Sequence, residues 1–340
     1  GVIALDRPEA INALSLPMIQ AITAALTQWR DEPGVRAVLF EGRGPRGFCA
    51  GGDVRAVRTL VLEGRQAEAE TFFAAEYAMN LLIAAYPKPV IALAHGVVMG
   101  GGIGIAGHAD FRFCSMDARY AMPEAAIGFF SDVGVNAILA RAPLERALLF
   151  LMSGVIVGAA DALGLGLVDC VVAPERLAEV RASLLIAATA GDIDTALVGL
   201  MQSEGLEAGE AELADHAESL VAALKLPAAA EIVAAIADAA RGRPELQAIA
   251  TALAARSPTS LAAIHAAHRA ARIDPDIANV LGRDVKLANL LIAQPDFAEG
   301  VRAVLVDKNQ SAHWQPANFV DVKHETIEKA LSEAPPIITS

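Results

Sequence analysis

The first 175 residues alternate between two hydrophobic periodicities. Apolar runs of strand length occur at residues 2–6, 35–42, 89–96, 110–115 and 167–172. After Pro17, apolar residues follow at helical spacing, at Ile19, Ile22, Leu26 and Trp29. Residues 64–86 are typical of a second helix, and a glycine-rich helix start follows the run at 89–96. This recurrence of strand, helix and strand predicts an α/β fold up to about residue 175.

The pattern changes in the second half of the chain. Residues 176–295 are rich in Ala and Leu and are typical of consecutive helices. Breaks are expected near Gly191, Gly205, Pro227, Pro244 and Pro258. We therefore predict an α/β core over residues 1–175 and a mostly helical C-terminal region over 176–340, packed on the core or on another subunit.

Composition narrows the class of protein. Hydrophobic residues make up 54% and charged residues 20% of the chain, which excludes disorder as an overall description. The net charge of −13 argues against a nucleic-acid partner, but a few local Arg or Lys side chains could still hold a small anion. Three scattered cysteines predict neither disulfides nor a metal site. We expect a cytoplasmic protein that does not span a membrane, with a segment preceding Gly1 because the chain begins inside an apparent strand.

Two glycine-rich loops are candidates for ligand contact. "GGGIGIAG" (100–107) contains the spacing of a dinucleotide fingerprint, but "HGVVMG" separates it from the preceding strand, and Glu124 follows a proline instead of ending a strand. "GFCAGGDVRAV" (47–57) is the second loop. Glycines let the backbone approach a ligand closely, so each loop could offer one N–H group to a carbonyl oxygen. The alternative is that both loops are tight turns.

Two acids stand in a mostly apolar stretch. "MPEAAIGFFSDVG" (122–134) contains Glu124 and Asp132, with Phe129 and Phe130 between them. Either the acids cap helices at the surface, Asp132 before "VGVNAIL", or they face a pocket where acid–base chemistry is needed.

The order of these motifs resembles that of the enoyl-CoA hydratase/isomerase (crotonase) superfamily. The similarity covers most of the chain, and two late segments together with the pair of acids resemble its 3-hydroxyisobutyryl-CoA hydrolase branch. The motifs are "RPEAINALS", "GFCAGGDVRAV", "KPVIALAHGVVMGGGIGIAGHADFRF", "YAMPEAAIGFFSDVG", "GAADALGLGLVDCVV", "SPTSL" and "PDFAEGVRAVLVDKN".

The resemblance implies a fold and an activity. The fold would be the crotonase fold of repeated ββα units with a helical C-terminal region. The activity would be hydrolysis of a short-chain acyl-CoA thioester, with 3-hydroxyisobutyryl-CoA of valine breakdown as the expected substrate and no metal or redox cofactor. A hydratase or isomerase working with Glu124 alone and a non-catalytic acyl-CoA-binding protein are the alternatives. Relatives often form trimers, so a homotrimer is expected by analogy.

The resemblance also implies roles for six residues. Gly52 and Gly101 would donate backbone N–H groups to the thioester carbonyl. Glu124 would attack that carbonyl or activate a water, and Asp132 would position a substrate hydroxyl or carry a proton. Arg55 and Lys308 would bind the phosphates of coenzyme A.

Four positions depart from the family pattern. Gly104 stands where hydratases have the first of two glutamates, which counts against water addition by two glutamates. Glu9 stands where relatives often have a lysine, which puts one phosphate contact in question. Ser131 and Val135 stand where relatives usually have proline and glycine, and both bear on which acyl group is bound.

Overall fold

Eight strands form two parallel sheets in the computed structural model, which describes residues 1–337. The larger sheet has the order β1 (Val2–Leu5), β2 (Val38–Gly42), β4 (Val90–Ala94), β6 (Phe111–Ser115) and β8 (Cys170–Val172). The smaller sheet consists of β3 (Gly47–Cys49), β5 (Val97–Met99) and β7 (Arg119–Ala121). All neighbouring strands pair in parallel.

The five apolar runs are confirmed as the strands of the larger sheet. Leu39 pairs with Ile91, and Leu93 with Phe113, so the register is fixed by buried side chains. The three strands of the smaller sheet were not predicted, because each has only three residues and too few positions to show a period of two.

A long strand, a short strand and a helix or helical turn follow one another three times. The first unit is β2, β3 and α2 (Val54–Leu62), and the second is β4, β5 and α4 (Gly101–Ala106). The third is β6, β7 and a short 3₁₀ turn, Glu124–Ile127. This is the ββα repeat that the resemblance implied. Since the short strands are parallel neighbours, the three segments that follow them meet at one edge of the small sheet.

The remaining helices cover the two sheets. Within the first half they are α1 (Leu16–Arg30), α3 (Gln66–Ala84), α5 (Val135–Leu139), α6 (Leu144–Ser153) and α7 (Ala159–Gly164). Ser15 caps α1, and the predicted apolar face of that helix buries Ile19, Ile22 and Leu26. The C-terminal half contains α8 (Leu177–Ala187), α9 (Ile193–Glu204), α10 (Glu212–Ser219), α11 (Val221–Leu224), α12 (Ala229–Ala239), α13 (Pro244–Ala254), α14 (Pro258–Ile273), α15 (Ile277–Ile292), α16 (Pro295–Val301) and α17 (His324–Ser332).

The predicted helix breaks are confirmed, and the helices share a core with the sheets. Pro244 and Pro258 each open a helix, where a missing N–H costs nothing. Leu287 of α15 belongs to the same hydrophobic core as Phe40 of β2, and α15 packs against α3. The division at residue 175 stays a prediction. No helix within residues 1–337 has the length and apolarity needed to cross a membrane.

Candidate active site

A cavity of about 680 Å³ lies at the edge where the three short strands end. All six residues selected from the sequence line it, together with acids, cations and aromatic rings that were not selected. The six are Gly52, Gly101, Glu124, Asp132, Arg55 and Lys308.

The two glycine loops touch each other at the floor of this cavity. They follow β3 and β5, which are paired side by side. The Gly101 nitrogen lies 3.5 Å from the position that a Cβ on Gly51 would occupy, which is contact distance, and Gly51 has φ +101°, which side chains rarely allow. Gly100 begins the turn into α4 with φ +48°, a backbone conformation that residues with a side chain rarely adopt. Convergence of the Gly52 and Gly101 N–H groups on one oxygen stays a prediction, and it requires nitrogens no more than about 6 Å apart.

The "RPEAINALS" motif holds the first loop. The buried Asn12 side chain donates hydrogen bonds to the carbonyl oxygens of Arg43, Gly47 and Phe48, at 2.9, 3.1 and 3.0 Å. The Leu14 backbone N–H donates to the Gly51 carbonyl at 2.8 Å. A polar side chain that bonds three carbonyls, two of them buried, fixes the backbone that leads to Gly52.

Glu124 points towards the glycine loops. It is the first residue of the 3₁₀ turn after β7, and only 8% of it is exposed. Its Oε1 lies 2.9 Å from the position of a Cβ on Gly100, and its Oε2 has no hydrogen-bond partner among residues 1–337. Burial, then the nearby Asp132 and Glu76 carboxyls, raise the pKa of Glu124 well above its usual range.

Asp132 faces the same cavity and is 4% exposed. Its Oδ2 accepts a hydrogen bond from the Tyr77 hydroxyl at 2.6 Å. Burial raises the pKa of Asp132 to about 7, although the Tyr77 hydrogen bond opposes the shift. Asp132 does not cap α5: Gly134 is the residue before that helix, and no side chain caps its N-terminus.

A third acid, Glu76, was missed by the sequence analysis. It lies on α3, is 2% exposed, and its Oε1 has no hydrogen-bond partner in the described part of the chain. A Cβ added to Gly101 would overlap that oxygen, so Glu76 stands directly beside the glycine loops. Burial and the Asp132 charge raise the pKa of Glu76 well above its usual range. The only signal in the sequence was that Glu76 is the one acid in the mostly apolar run "FFAAEYAMNLLIA" (72–84).

The three acids share one electrostatic environment. Glu124 and Glu76 each have their pKa raised by the Asp132 carboxylate, and a buried cluster of like charges cannot ionise fully. Near neutral pH the cavity therefore offers both a carboxylic acid and a carboxylate, which are the two partners that general acid–base chemistry requires.

Cations gather around the same cavity. Arg55 donates a hydrogen bond to the Leu305 carbonyl, and Lys308 follows a π-helical turn, Arg302–Val306. Arg7 and Arg46 also line the cavity and were not selected from the sequence. Arg7 pairs with Asp53 at 2.7 Å and lies 3.7 Å from Glu9, so Arg46, Arg55 and Lys308 are the cations at the cavity that make no ion pair among residues 1–337.

The departures from the family pattern differ in their contacts. Neither Ser131 nor Val135 is among the residues that line the cavity, and the Ser131 hydroxyl donates to the Leu151 carbonyl at 3.4 Å. Gly104 is tightly enclosed: a Cβ there would lie 2.8 Å from Cβ of Val133 and 2.9 Å from Nδ2 of Asn80. No acid fits at Gly104 unless the neighbouring loop moves.

Among residues 1–337 no group of three or more His, Cys, Asp or Glu is arranged to hold a metal ion.

Sequence and structure comparisons agree with the fold. The sequence model of the enoyl-CoA hydratase/isomerase family matches residues 1–331. The chain belongs to this family, whose members bind acyl-CoA substrates, and its fold is the crotonase fold.

Two similar sequences are mitochondrial 3-hydroxyisobutyryl-CoA hydrolases. The one from Xenopus tropicalis is 34% identical over 96% of this chain and 85% of its own length. The one from Homo sapiens is 31% identical over 96% of this chain and 84% of its own length.

Two similar solved structures carry other activity names. A carnitinyl-CoA dehydratase from Mycobacterium thermoresistibile has a TM-score of 0.90 at 30% identity, covering 100% of this chain and 96% of that one. An enoyl-CoA hydratase from Rhodobacter sphaeroides 2.4.1 has a TM-score of 0.86 at 32% identity, covering 98% and 94%. Overall similarity therefore identifies the family and leaves the choice of reaction to the residues of the site.

Removing the Tyr77 hydrogen bond to Asp132 should change the pH dependence of kcat/KM. Tyr77→Phe removes the hydroxyl that lowers the pKa of Asp132, so that pKa should rise above about 7. The inflection assigned to Asp132 in the pH profile of kcat/KM should move to higher pH. Tyr86→Phe is the matched control, because the Tyr86 hydroxyl donates to the Leu26 carbonyl outside the cavity. Superimposable wild-type and Tyr77→Phe profiles would contradict the prediction.

Proposed function

We propose that this protein hydrolyses a short-chain acyl-CoA thioester, with 3-hydroxyisobutyryl-CoA as its substrate in valine breakdown. One observation carries the proposal: Glu124 and Asp132 line one cavity beside the glycine loops, while Gly104 leaves no room for the first hydratase glutamate. The sequence similarity to 3-hydroxyisobutyryl-CoA hydrolases supports the choice of substrate.

In the proposed mechanism the thioester carbonyl oxygen accepts hydrogen bonds from the Gly52 and Gly101 N–H groups. Fixed backbone dipoles stabilise the negative charge that develops on this oxygen in the transition state, and one such donor typically contributes about 10²–10³ in rate. In the reacting form of the cluster the shared proton lies on Asp132, so the Glu124 carboxylate attacks the carbonyl carbon, the C–S bond breaks and CoA leaves as a thiolate. Water then cleaves the resulting anhydride, which restores Glu124 and releases the carboxylic acid. Direct activation of water by Glu124 gives the same products.

The other two acids have roles that their protonation states allow. Asp132, with a pKa raised to about 7, can give a proton to the departing thiolate or bind a hydroxyl on the acyl group. The partnerless Oε1 of Glu76 lies close enough to the glycine loops to contact a bound acyl group. A substrate hydroxyl would satisfy polar groups that are otherwise buried without partners among residues 1–337.

Hydration of an enoyl-CoA by Glu124 alone is the second candidate function. The observation that favours it is the high structural similarity to the two proteins named as a dehydratase and a hydratase. The reactions differ in their products, because hydrolysis releases a thiol and hydration does not.

A thiol-release screen tests the proposal. The purified protein is incubated with 3-hydroxyisobutyryl-CoA, isobutyryl-CoA, 3-hydroxypropionyl-CoA and crotonyl-CoA, and free CoA is followed with a thiol reagent. We expect fastest release from 3-hydroxyisobutyryl-CoA and slower release from isobutyryl-CoA. Loss of the crotonyl-CoA enoyl absorbance without thiol release would establish the hydratase instead. Binding without either change would establish a non-catalytic acyl-CoA-binding protein.

We expect Arg55 and Lys308 to matter only for substrates that carry the phosphates of coenzyme A. Arg55→Ala and Lys308→Ala should each raise KM for the acyl-CoA about tenfold, since a hydrogen bond to a charged group contributes about 1.5–3 kcal/mol. Neither change should affect the same acyl group on N-acetylcysteamine, which lacks the phosphates. Arg65→Ala is the control for loss of a positive charge, because Arg65 pairs with Glu63 and Glu68 away from the cavity. An equal rise in KM for both substrates would show that Arg55 and Lys308 do not bind the phosphates.

A further inference from the structure

The chain bends sharply immediately after Asp132. Val133 and Gly134 both have positive φ, +54° and +71°. A β-branched residue rarely adopts this conformation, and such strain costs about 1–3 kcal/mol. The strain persists only where surrounding groups hold the backbone, so the partners of this turn show what fixes Asp132.

Three side chains from separate elements hold the turn. The Val133 carbonyl accepts hydrogen bonds from Nε2 of His108 at 2.8 Å and from Nδ2 of Asn80 at 3.5 Å. The Gly134 backbone N–H donates to Oδ2 of Asp284 at 2.8 Å. Asp284 belongs to α15 and is only 1% exposed.

The residue on the other side of Asp132 is held as well. The Ser131 carbonyl accepts a hydrogen bond from Nδ2 of Asn136 at 2.9 Å. Oδ1 of Asn136 in turn accepts from Nδ1 of His268, on α14, at 3.1 Å. The helical C-terminal region therefore acts on one flank of Asp132 through Asn136 and on the other directly, and Asp284 is the one group of this region that bonds to the strained turn within residues 1–337.

We propose that Asp284 is a positioning residue: by holding the Gly134 N–H group it fixes the strained turn and with it the direction of the Asp132 carboxylate. The inference rests on the proposed function, in which Asp132 takes part in the chemistry. Without Asp284 the Gly134 N–H is buried and unpaired, and the turn relaxes towards ordinary φ. The Asp132 carboxylate then moves relative to Glu124 and the glycine loops.

Two substitutions at position 284 separate the hydrogen bond from the size of the side chain. Asp284→Asn retains an oxygen that can accept from Gly134, whereas Asp284→Ala removes it. A displacement of about 1 Å in a catalytic group can cost about 10²-fold in rate, so we expect that loss of kcat in Asp284→Ala with KM changed less than about threefold. Asp284→Asn should retain kcat within about fivefold, as expected when the geometry is kept.

A second background tests whether Asp284 acts through Asp132. In an Asp132→Asn protein, Asp284→Ala should lower kcat little further, because the group that it positions has already been removed. An equal fold-loss in both backgrounds would overturn the proposal and make Asp284 a general structural residue. Unchanged kcat in folded Asp284→Ala would overturn it as well.

Asp161→Ala is the matched control. Asp161 is another buried aspartate that accepts backbone hydrogen bonds, from Leu213 and Ala214 at 3.1 Å each, and it lies outside the cavity. Its loss should lower the melting temperature without changing kcat. If Asp284→Ala does not fold, Asp284→Ser, whose hydroxyl is too short to keep the same bond, takes its place with the same expected loss.

Amide hydrogen exchange tests the contact independently of activity. Exchange at Gly134 should be faster in Asp284→Ala than in the wild-type protein and unchanged in Asp161→Ala. If the wild-type protein releases no thiol from any acyl-CoA, the proposed function fails, whereas the exchange result still decides whether Asp284 holds the turn. Equal exchange at Gly134 in the wild-type and Asp284→Ala proteins would overturn the positioning role.

Discussion

Glu124→Gln is expected to lower kcat for thioester hydrolysis about 10³-fold, within the range that a positioned acid–base group supplies, while the protein stays folded. The amide has nearly the same shape as the acid but is neither a nucleophile nor a base at neutral pH. Stability should not fall, because the substitution removes an ionisable group whose buried position raises its pKa. Thiol release gives kcat, and calorimetry with a non-hydrolysable thioether of CoA gives the binding constant, which should change little.

Glu41→Gln is the control for that experiment. Glu41 is also a buried glutamate, but it pairs with Arg181 and does not line the cavity. This variant should lose stability and keep kcat. A Glu124→Gln protein that hydrolyses thioesters at the wild-type rate would exclude Glu124 as nucleophile or base, and would leave the glycine loops as the main source of catalysis.

Asp132→Asn is expected to lower kcat about 10²-fold, as for loss of one acid–base partner. Combined with Glu124→Gln, the loss should be smaller than the product of the two single losses, because residues that act as a unit are not additive. Asparagine would replace aspartate almost silently at a helix N-terminus, so the size of the effect also tests the chemical role. A wild-type kcat in Asp132→Asn would show that Asp132 has a structural role and no chemical one.

The same variant has a predicted effect on stability. Folding raises the pKa of Asp132 from the usual aspartate value near 3.9 to about 7, so the folded state binds this proton more tightly than the unfolded state does. The stabilisation is fully present below pH about 4 and is lost as the pH rises through about 7. Asp132→Asn should therefore raise the melting temperature at pH 8, with a gain that shrinks as the pH falls towards 4.

The sequence predicted the larger sheet and the helices but not the smaller sheet. Runs such as 89–96 are long enough to show burial and are confirmed as strands. The segments Gly47–Cys49, Val97–Met99 and Arg119–Ala121 are strands only because they pair with one another, and pairing between distant segments leaves no local period. These three strands bring the glycine loops and Glu124 to one edge.

Some residues of the candidate site could be predicted from sequence motifs, and others could not. Gly52, Gly101, Glu124 and Asp132 were found because they stand in ordered motifs that resemble a family. Glu76 and Asp284 belong to no motif: each is an acid within a helix, and a charged side chain is usually expected to be exposed to solvent. Their burial depends on the packing of α3 against α15, which joins residues about 200 positions apart and cannot be derived from either helix alone.

The enclosure of Gly104 has a consequence for how this protein could evolve. The family resemblance implies that hydratases carry the first of their two catalytic glutamates at the corresponding position. Here the first atom of any side chain would meet Val133, whose strained backbone fixes Asp132, and Asn80, whose amide lies against the Val133 carbonyl. On the proposed function, Gly104→Glu would displace Asp132 before the new acid could work, so the single variant would lose hydrolysis without gaining the two-glutamate mechanism. On the proposed function, a lineage that carries this loop cannot reach the two-glutamate mechanism through single beneficial substitutions, and a fitness valley separates the two arrangements of acids.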